Sequence, residues 1–531
     1  FIKTRSYKAG YSKGIVNVHT NQYIESGEFH QKLIQDTPSN FPLFMHFETF
    51  KSQFITIQLV MSSTKIQPHL LKYMSIMEEI FTMSIKLPHG EYMPYEQVVA
   101  DLNRDLIEFQ LDNGFNYQFL DLISMLVKCE SKKYATAINW IYNLINFVEF
   151  EEARIKVILE KILGSLPDKK RNGELMMYSS QFRNLFNDSS LRKQQDSINT
   201  EIFFKELLQL INDGEFDTIK RDLEEIKLNL FQLDNIKIIV LGDVSGLDAP
   251  VSSWEKLISL KEETQENPID KVVSSIVPFS QLPRSFQFKS DLGSKCHHEA
   301  FLIDMRATES THLVSVTPIP TDYLHEDVAR IALAIEFLCA IEGPFWRSIR
   351  GSGLAYGVSM KQNTETGFLS FQLYRASDAK QAWIEARELV KKYASGELAI
   401  DALSLENAVA SIVNELANAQ ESSYDSASAK IVDNLFKARG PNYLELYLTQ
   451  LEQLDANDVK YVLQKYFINL FDAAHSVVFT SLPMEKVEEM GNFFQSRGYN
   501  INVEEVNHDG EDEEGEYTSQ ESSSDNDDDD D

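Results

Sequence analysis

Two stretches decide the fold: DTIKRDLEEIKLNLFQLDNIKIIVL at 217–241 and DVKYVLQKYFINLFDAAHSVVFT at 458–480. In each, a helical pattern (217–228, 458–468) runs into one tripeptide, Asn229-Leu230-Phe231 or Asn469-Leu470-Phe471, and then into a strand (the apolar 236–241, and 476–480). Asp455 is placed to cap the second helix, and Asp458 adds a first-turn acid where the helix dipole favours one. The beginnings match too. Runs at 54–60 and 312–316 have the alternation and β-branched content of half-buried strands. Leu70, Met74, Met77 and Phe81 then keep helical spacing after the first run, as Val328, Ile331, Ile335 and Leu338 do after the second. The same order at an offset of about 240–258 residues marks an internal duplication.

Strands and long helices without regular βαβ alternation predict an α+β class: two homologous domains, each an antiparallel sheet packed with helices. The expected boundaries are 1–244 for the first domain, 245–287 for a connection, 288–503 for the second domain and 504–531 for a tail. The connection is marked by Gly246, Pro250, Pro268, Pro278 and Pro283, with a charged helix-like piece at 255–266. The tail holds fifteen acids and no Lys or Arg, nearly half of the net charge of −31. Such a segment repels itself and has little to bury, so disorder is expected. It serves either to solubilise the protein or to dock a basic partner.

The 531 residues suffice for two to four domains, and 43% hydrophobic with 25% charged residues is a globular mixture. Cys129, Cys296 and Cys339 are too far apart for CxxC-type ligand pairs or a disulfide framework, which fits a reducing compartment. A cytoplasmic location is expected, with the mitochondrial matrix as the alternative. No apolar run approaches the roughly 18–20 residues of a membrane span; Glu336 and Glu342 interrupt the stretch at 331–346. With 50 Lys and Arg against 81 Asp and Glu and no basic cluster, nucleic acid is an unsuitable partner. The chain opens on Phe1, which fits a fragment.

The usual catalytic signatures are missing. No HxxEH or HExxH occurs among the eleven histidines. Cys296-His297-His298 is the densest potential ligand cluster, yet neighbouring side chains on an extended segment point to opposite faces. There is no GxSxG elbow or Walker loop, and the glycines at 351, 353 and 357 follow a helix and precede a strand, the reverse of a dinucleotide-binding loop. That glycine corner nevertheless joins two donors. Gly343-Pro344 breaks the preceding helix, 345–350 resumes a helical turn, and a hairpin follows with strands at 354–360 and 368–373. Arg350 and Tyr356 flank the corner, a pairing suited to stabilising an oxyanion. The plainer alternative has Arg350 meeting a helix C-terminus and Tyr356 packing at a sheet edge.

The segment Ile349-Arg350-Gly351-Ser352-Gly353-Leu354-Ala355-Tyr356-Gly357 resembles the Arg-x5-Tyr signature of the pitrilysin/insulinase family of zinc metallopeptidases, closest to the presequence protease branch and its fungal cytosolic relatives. The resemblance implies the C-terminal half of a zinc-dependent endopeptidase that degrades peptides in a closed chamber. Its four related domains would form two halves, with zinc and its ligands in an N-terminal half absent here. Arg350 and Tyr356 would be the catalytic donors to the peptide substrate, and the N-terminal half of the same enzyme would be the partner. This segment alone is then expected to be inactive. The alternative is a non-catalytic structural or interaction subunit of the same fold.

Overall fold

The computed structural model describes residues 13–17, 28–38, 41–258, 279–306 and 308–506. Its first sheet contains β1 (Lys13–Asn17), β2 (Phe44–Thr49), β3 (Phe54–Ser62), β6 (Glu108–Phe115), β7 (Gln118–Glu130) and β9 (Lys237–Gly242). A small sheet of β4 (Ser84–Lys86), β5 (Tyr92–Met93) and β8 (Val148–Glu149) lies outside it. The second large sheet contains β10 (Glu299–Asp304), β11 (Thr311–Pro318), β12 (Ala355–Asn363), β13 (Phe368–Ala376), β14 (Val477–Leu482) and β15 (Asn500–Glu505).

Strand order establishes the duplication. The first sheet runs β1-β2-β9-β3-β7-β6 and the second β15-β10-β14-β11-β13-β12, one equivalent beside the next. The α+β class holds. Four strands of each sheet are antiparallel, from β9 to β6 and from β14 to β12, whereas β2–β9, β10–β14 and β10–β15 pair in parallel. A parallel neighbour requires a long crossover, and the helices between β7 and β9, and between β13 and β14, supply it. Both tripeptides that reveal the repeat lie in the cores, with Leu230, Phe231 and Leu470 fully buried and Phe471 nearly so. Asp455 caps its helix as expected, its carboxylate accepting from the amides of Asn457 and Asp458.

The helical spacing at 70–81 resolves into short pieces: 3-10 turns at Pro68–Tyr73 and Ile80–Thr82 around one α turn, Met74–Met77. Leu70, Leu71, Tyr73, Met74, Ile76, Met77, Ile80 and Phe81 are all buried. Only Lys72, Ser75, Glu78 and Glu79 reach the surface, so the apolar face is wide and most of the segment lies within the core. Its counterpart, the helix Asp327–Cys339, stays continuous.

The two units exchange helices. Gly173–Leu185, which follows the first domain's long helix Glu152–Lys170, packs on the second sheet, where Met177, Leu185 and Phe186 join Phe301, Val314, Val316 and Phe479. Reciprocally, Ser423–Ile431 and the π turn Val432–Phe436 pack on the first sheet, where Ile431, Val432 and Phe436 join Phe44, Val60, Phe115 and Ile239. Each sheet is thus covered on both faces, and β9 and β14 are buried at all six positions. The exchanged segments end in a second repeated motif, Asn184-Leu185-Phe186 and Asn434-Leu435-Phe436.

Two expected boundaries shift. Val251, Trp254, Leu257 and Ile258 belong to the first core, and the Trp254 indole donates to the Tyr134 hydroxyl at 3.0 Å, so the connection is part of the first domain as far as 258. Of the helix-like piece at 255–266, only residues 255–258 are described, and they are helical. The tail begins later than 504. Glu504 and Glu505 complete β15 beside β10, and Glu504 pairs with Arg183. Residues 507–531, with most of the acidic run, lie outside the described residues.

Candidate functional site

Arg350 ends the π turn Trp346–Arg350, and Tyr356 is the second residue of edge strand β12. The turn is anchored by Phe345 and Ile349, both fully buried, with the Phe345 ring edge-on to Phe371 at 5.8 Å. Gly351 closes it by donating its amide to the Trp346 carbonyl at 2.7 Å, and a Cβ there would lie 2.8 Å from the Arg347 carbonyl oxygen. Gly353 adopts φ +73°, which favours glycine, and reverses the chain into β12. Ser377 pins the corner from β13's far end, its hydroxyl donating to the Gly353 carbonyl at 2.8 Å.

This scaffold brings the two sequence-derived residues together. The Arg350 guanidinium carbon lies 5.2 Å from the centre of the Tyr356 ring. Tyr356 is 65% exposed, and among the described residues its hydroxyl has no hydrogen-bond partner and Arg350 no carboxylate partner. Both donors are therefore open to a ligand.

The sequence reading missed a group behind this pair. Tyr374 sits 6.2 Å from Tyr356 by ring centres, with the Arg375 guanidinium 5.3 Å and the His312 ring 5.1 Å from it. Burial, reinforced by Arg375, pushes the His312 pKa down to about 4. Arg375 takes φ +49°, a conformation that no local pattern signals.

The Cys296-His297-His298 segment is not the extended one expected: Cys296 and His298 take φ +45° and +56°, and the two His rings lie 5.7 Å apart. Cys296 is buried with its thiol pushed up to about 12 by burial, while His298 Nδ1 lies 3.1 Å from the Gly498 carbonyl. Among the described residues no three His, Cys, Asp or Glu side chains gather to hold a metal ion, and no helix is long and apolar enough to cross a membrane.

No family model matches the chain. An uncharacterized protein of Saccharomyces cerevisiae is 34% identical over 523 residues, which is 96% of this chain and 49% of that protein. An uncharacterized protein of Schizosaccharomyces pombe is 28% identical over 477 residues, 87% of this chain and 45% of its own length. The chain thus spans about half the length of the curated relatives it matches. Among solved structures, a protease from Helicobacter pylori superposes with a TM-score of 0.58 at 13% identity, covering 84% of this chain and 98% of its own. A peptidase M16 inactive domain from Pseudomonas fluorescens gives 0.54 at 14% identity, covering 84% of this chain and 97% of its own. The two-domain fold is that of these two structures, the second of them a peptidase M16 domain.

Proposed function

We propose that this chain is the C-terminal half of a zinc-dependent endopeptidase of the pitrilysin/insulinase type, in the presequence protease branch, in which Arg350 and Tyr356 grip the peptide while the metal is held by another half. The observation that carries the reading is the meeting of an unpaired guanidinium and an unpaired phenol on an exposed sheet edge. An edge strand offers unpaired backbone groups to an extended peptide, and the two donors stand at its start. As a scissile carbonyl becomes tetrahedral, the N–H groups of Arg350 and the O–H of Tyr356 donate to its oxygen and stabilise the developing charge. The described residues do not fit a metal, so no metal-dependent step is assigned to them. The cytoplasm is the proposed location.

The test is Tyr356→Phe in the full-length protein. The variant keeps the ring against Arg350 and removes only the donor, so peptide turnover should fall by about 10²–10³, or 2.7–4 kcal/mol, with metal content unchanged. Wild-type turnover would remove Tyr356 from the mechanism. The second reading, a non-catalytic structural half, is favoured by the likeness to an inactive M16 domain. It predicts that the full-length protein cleaves no peptide and that Arg350→Ala leaves assembly unchanged.

A further inference from the structure

At the seam between the two units lies a cleft of about 570 Å³, within the range of small-ligand sites. Its floor is formed by the tips of two equivalent hairpins, at 116–120 between β6 and β7 and at 362–365 between β12 and β13. The wall beside the exchanged π turn carries Lys437 and Arg439. The Tyr323 ring is surrounded by cations, with Arg284 at 3.9 Å, Arg439 at 5.4 Å and Lys437 at 5.7 Å from its centre.

The carboxylates here are already engaged. Glu365 receives the Arg284 Nε at 3.0 Å, the Ser285 amide at 2.8 Å and the Tyr323 hydroxyl. Asp433 takes Arg439 Nη1 at 3.1 Å, and Asp425 takes the Ser422 hydroxyl at 2.6 Å. Two donors remain. Arg439 Nε is buried without an acceptor, and Lys437 Nζ has neither a hydrogen bond nor an ion pair among the described residues.

The duplication shows that packing does not require these cations. Counting from the repeated Asn-Leu-Phe motifs, the residues equivalent to Lys437 and Arg439 are Asn187 and Ser189. That pair is neutral and self-satisfied: the Ser189 amide donates to Asn187 Oδ1 at 3.0 Å, and Asn187 Nδ2 donates to the Lys289 carbonyl at 3.4 Å. At these two positions the other side of the seam therefore carries no charge.

We propose that the seam cleft binds an oxyanion, a carboxylate or a phosphate, on Lys437 Nζ and Arg439 Nε, with the rings of Tyr323 and Tyr443 as its walls. Tyr443 stacks on Arg439 at 4.1 Å and holds the guanidinium in place. Burial pushes the Lys437 pKa down to about 8, so at neutral pH a desolvated cation waits for the counter-charge that the protein withholds. The inference does not depend on peptidase activity.

Calorimetric titration of the whole chain tests it, with inorganic phosphate in one arm and acetyl-dialanine in the other, the latter against its C-terminal amide. Saturable binding of phosphate alone, of the free-acid peptide alone, or of both upholds the site and identifies the source of the oxyanion; the amide should not bind. Lys437→Met should weaken binding at least about tenfold while raising the melting temperature of the unliganded chain, and Lys437→Arg should retain binding. Should the Met variant fail to fold, Lys437→Gln carries the same expectation for affinity. No saturation by about 10 mM of either anion, or unchanged affinity in the neutral variants, overturns the proposal.

Discussion

The two units share strand order and exchanged helices, yet their outer sheet faces are finished differently. Register makes the comparison exact to the residue: His46 pairs with Ile239 as Phe301 does with Phe479, and Glu48 pairs with Leu241 as Ile303 does with Ser481. In the second unit, Phe301 stacks on Phe479 at 5.0 Å beneath the exchanged helix. In the first, His46 and Glu48 are both buried, with Nε2 and Oε2 3.7 Å apart, and both His46 ring nitrogens and Glu48 Oε2 lack a hydrogen-bond partner. One architecture thus tolerates either an apolar or an ionisable filling. Packing of the exchanged segments, not the chemistry under them, maintains the seam.

The strongest challenge to that view is to remove the seam's aromatic plugs. Phe436 lies 4.7–4.9 Å from the rings of Phe115, Phe119 and Phe279, while Phe186, its equivalent, lies 6.2–6.4 Å from Phe368 and Phe182. Phe436→Ala should cost about 3–5 kcal/mol in urea denaturation, and Phe186→Ala less, because looser neighbours lose less contact. Equal losses would show that the two sides are interchangeable. Next, replacing His46 and Glu48 together by the second unit's Phe and Ile should stabilise the protein by about 1–4 kcal/mol, since a desolvated polar pair gives way to packed apolar groups. A net loss would mean that the pair is held by contacts specific to the first unit.

A titration separates the units further. His312, at the position where β3 has Thr56, has its folded pKa depressed to about 4 by burial and then by Arg375. Between that value and the usual 6.5 the unfolded chain binds the extra proton, so stability rises with pH across this window and is lost as pH falls through it. His312→Leu should flatten the dependence in denaturation curves taken from pH 4 to 7. The smallest effect is expected at Asp455, whose carboxylate caps the helix that opens the repeated ending. Asp455→Ala should cost about 1 kcal/mol by thermal melting.

Much of this was legible from residues alone. The strand at 236–241 and its partner at 476–480 are buried at every position because both sheet faces are covered, and their apolar runs, broken by Lys237, Ser476 and Thr480, stand out without alternation. Asp455 could be assigned to its cap because side-chain capping is local. Arg350 and Tyr356 were also within reach, since a hairpin and two glycines determine their proximity. What escaped depends on distance along the chain. Nothing near 173–185 says that this helix serves the other sheet, and the Asn184-Leu185-Phe186 repeat became visible only once its partner at 434–436 occupied the mirrored place. The cleft at Lys437 escaped for the same reason: its walls come from five separate segments.

The exchanged helices also govern how the molecule comes apart. Cutting the chain at 244 or 288 would leave each piece carrying a helix that belongs to its neighbour, with a bare apolar sheet behind it. Neither piece is then a self-sufficient folding unit. Heat or denaturant should collapse both halves in one cooperative step, and a single proteolytic cut between them should release nothing.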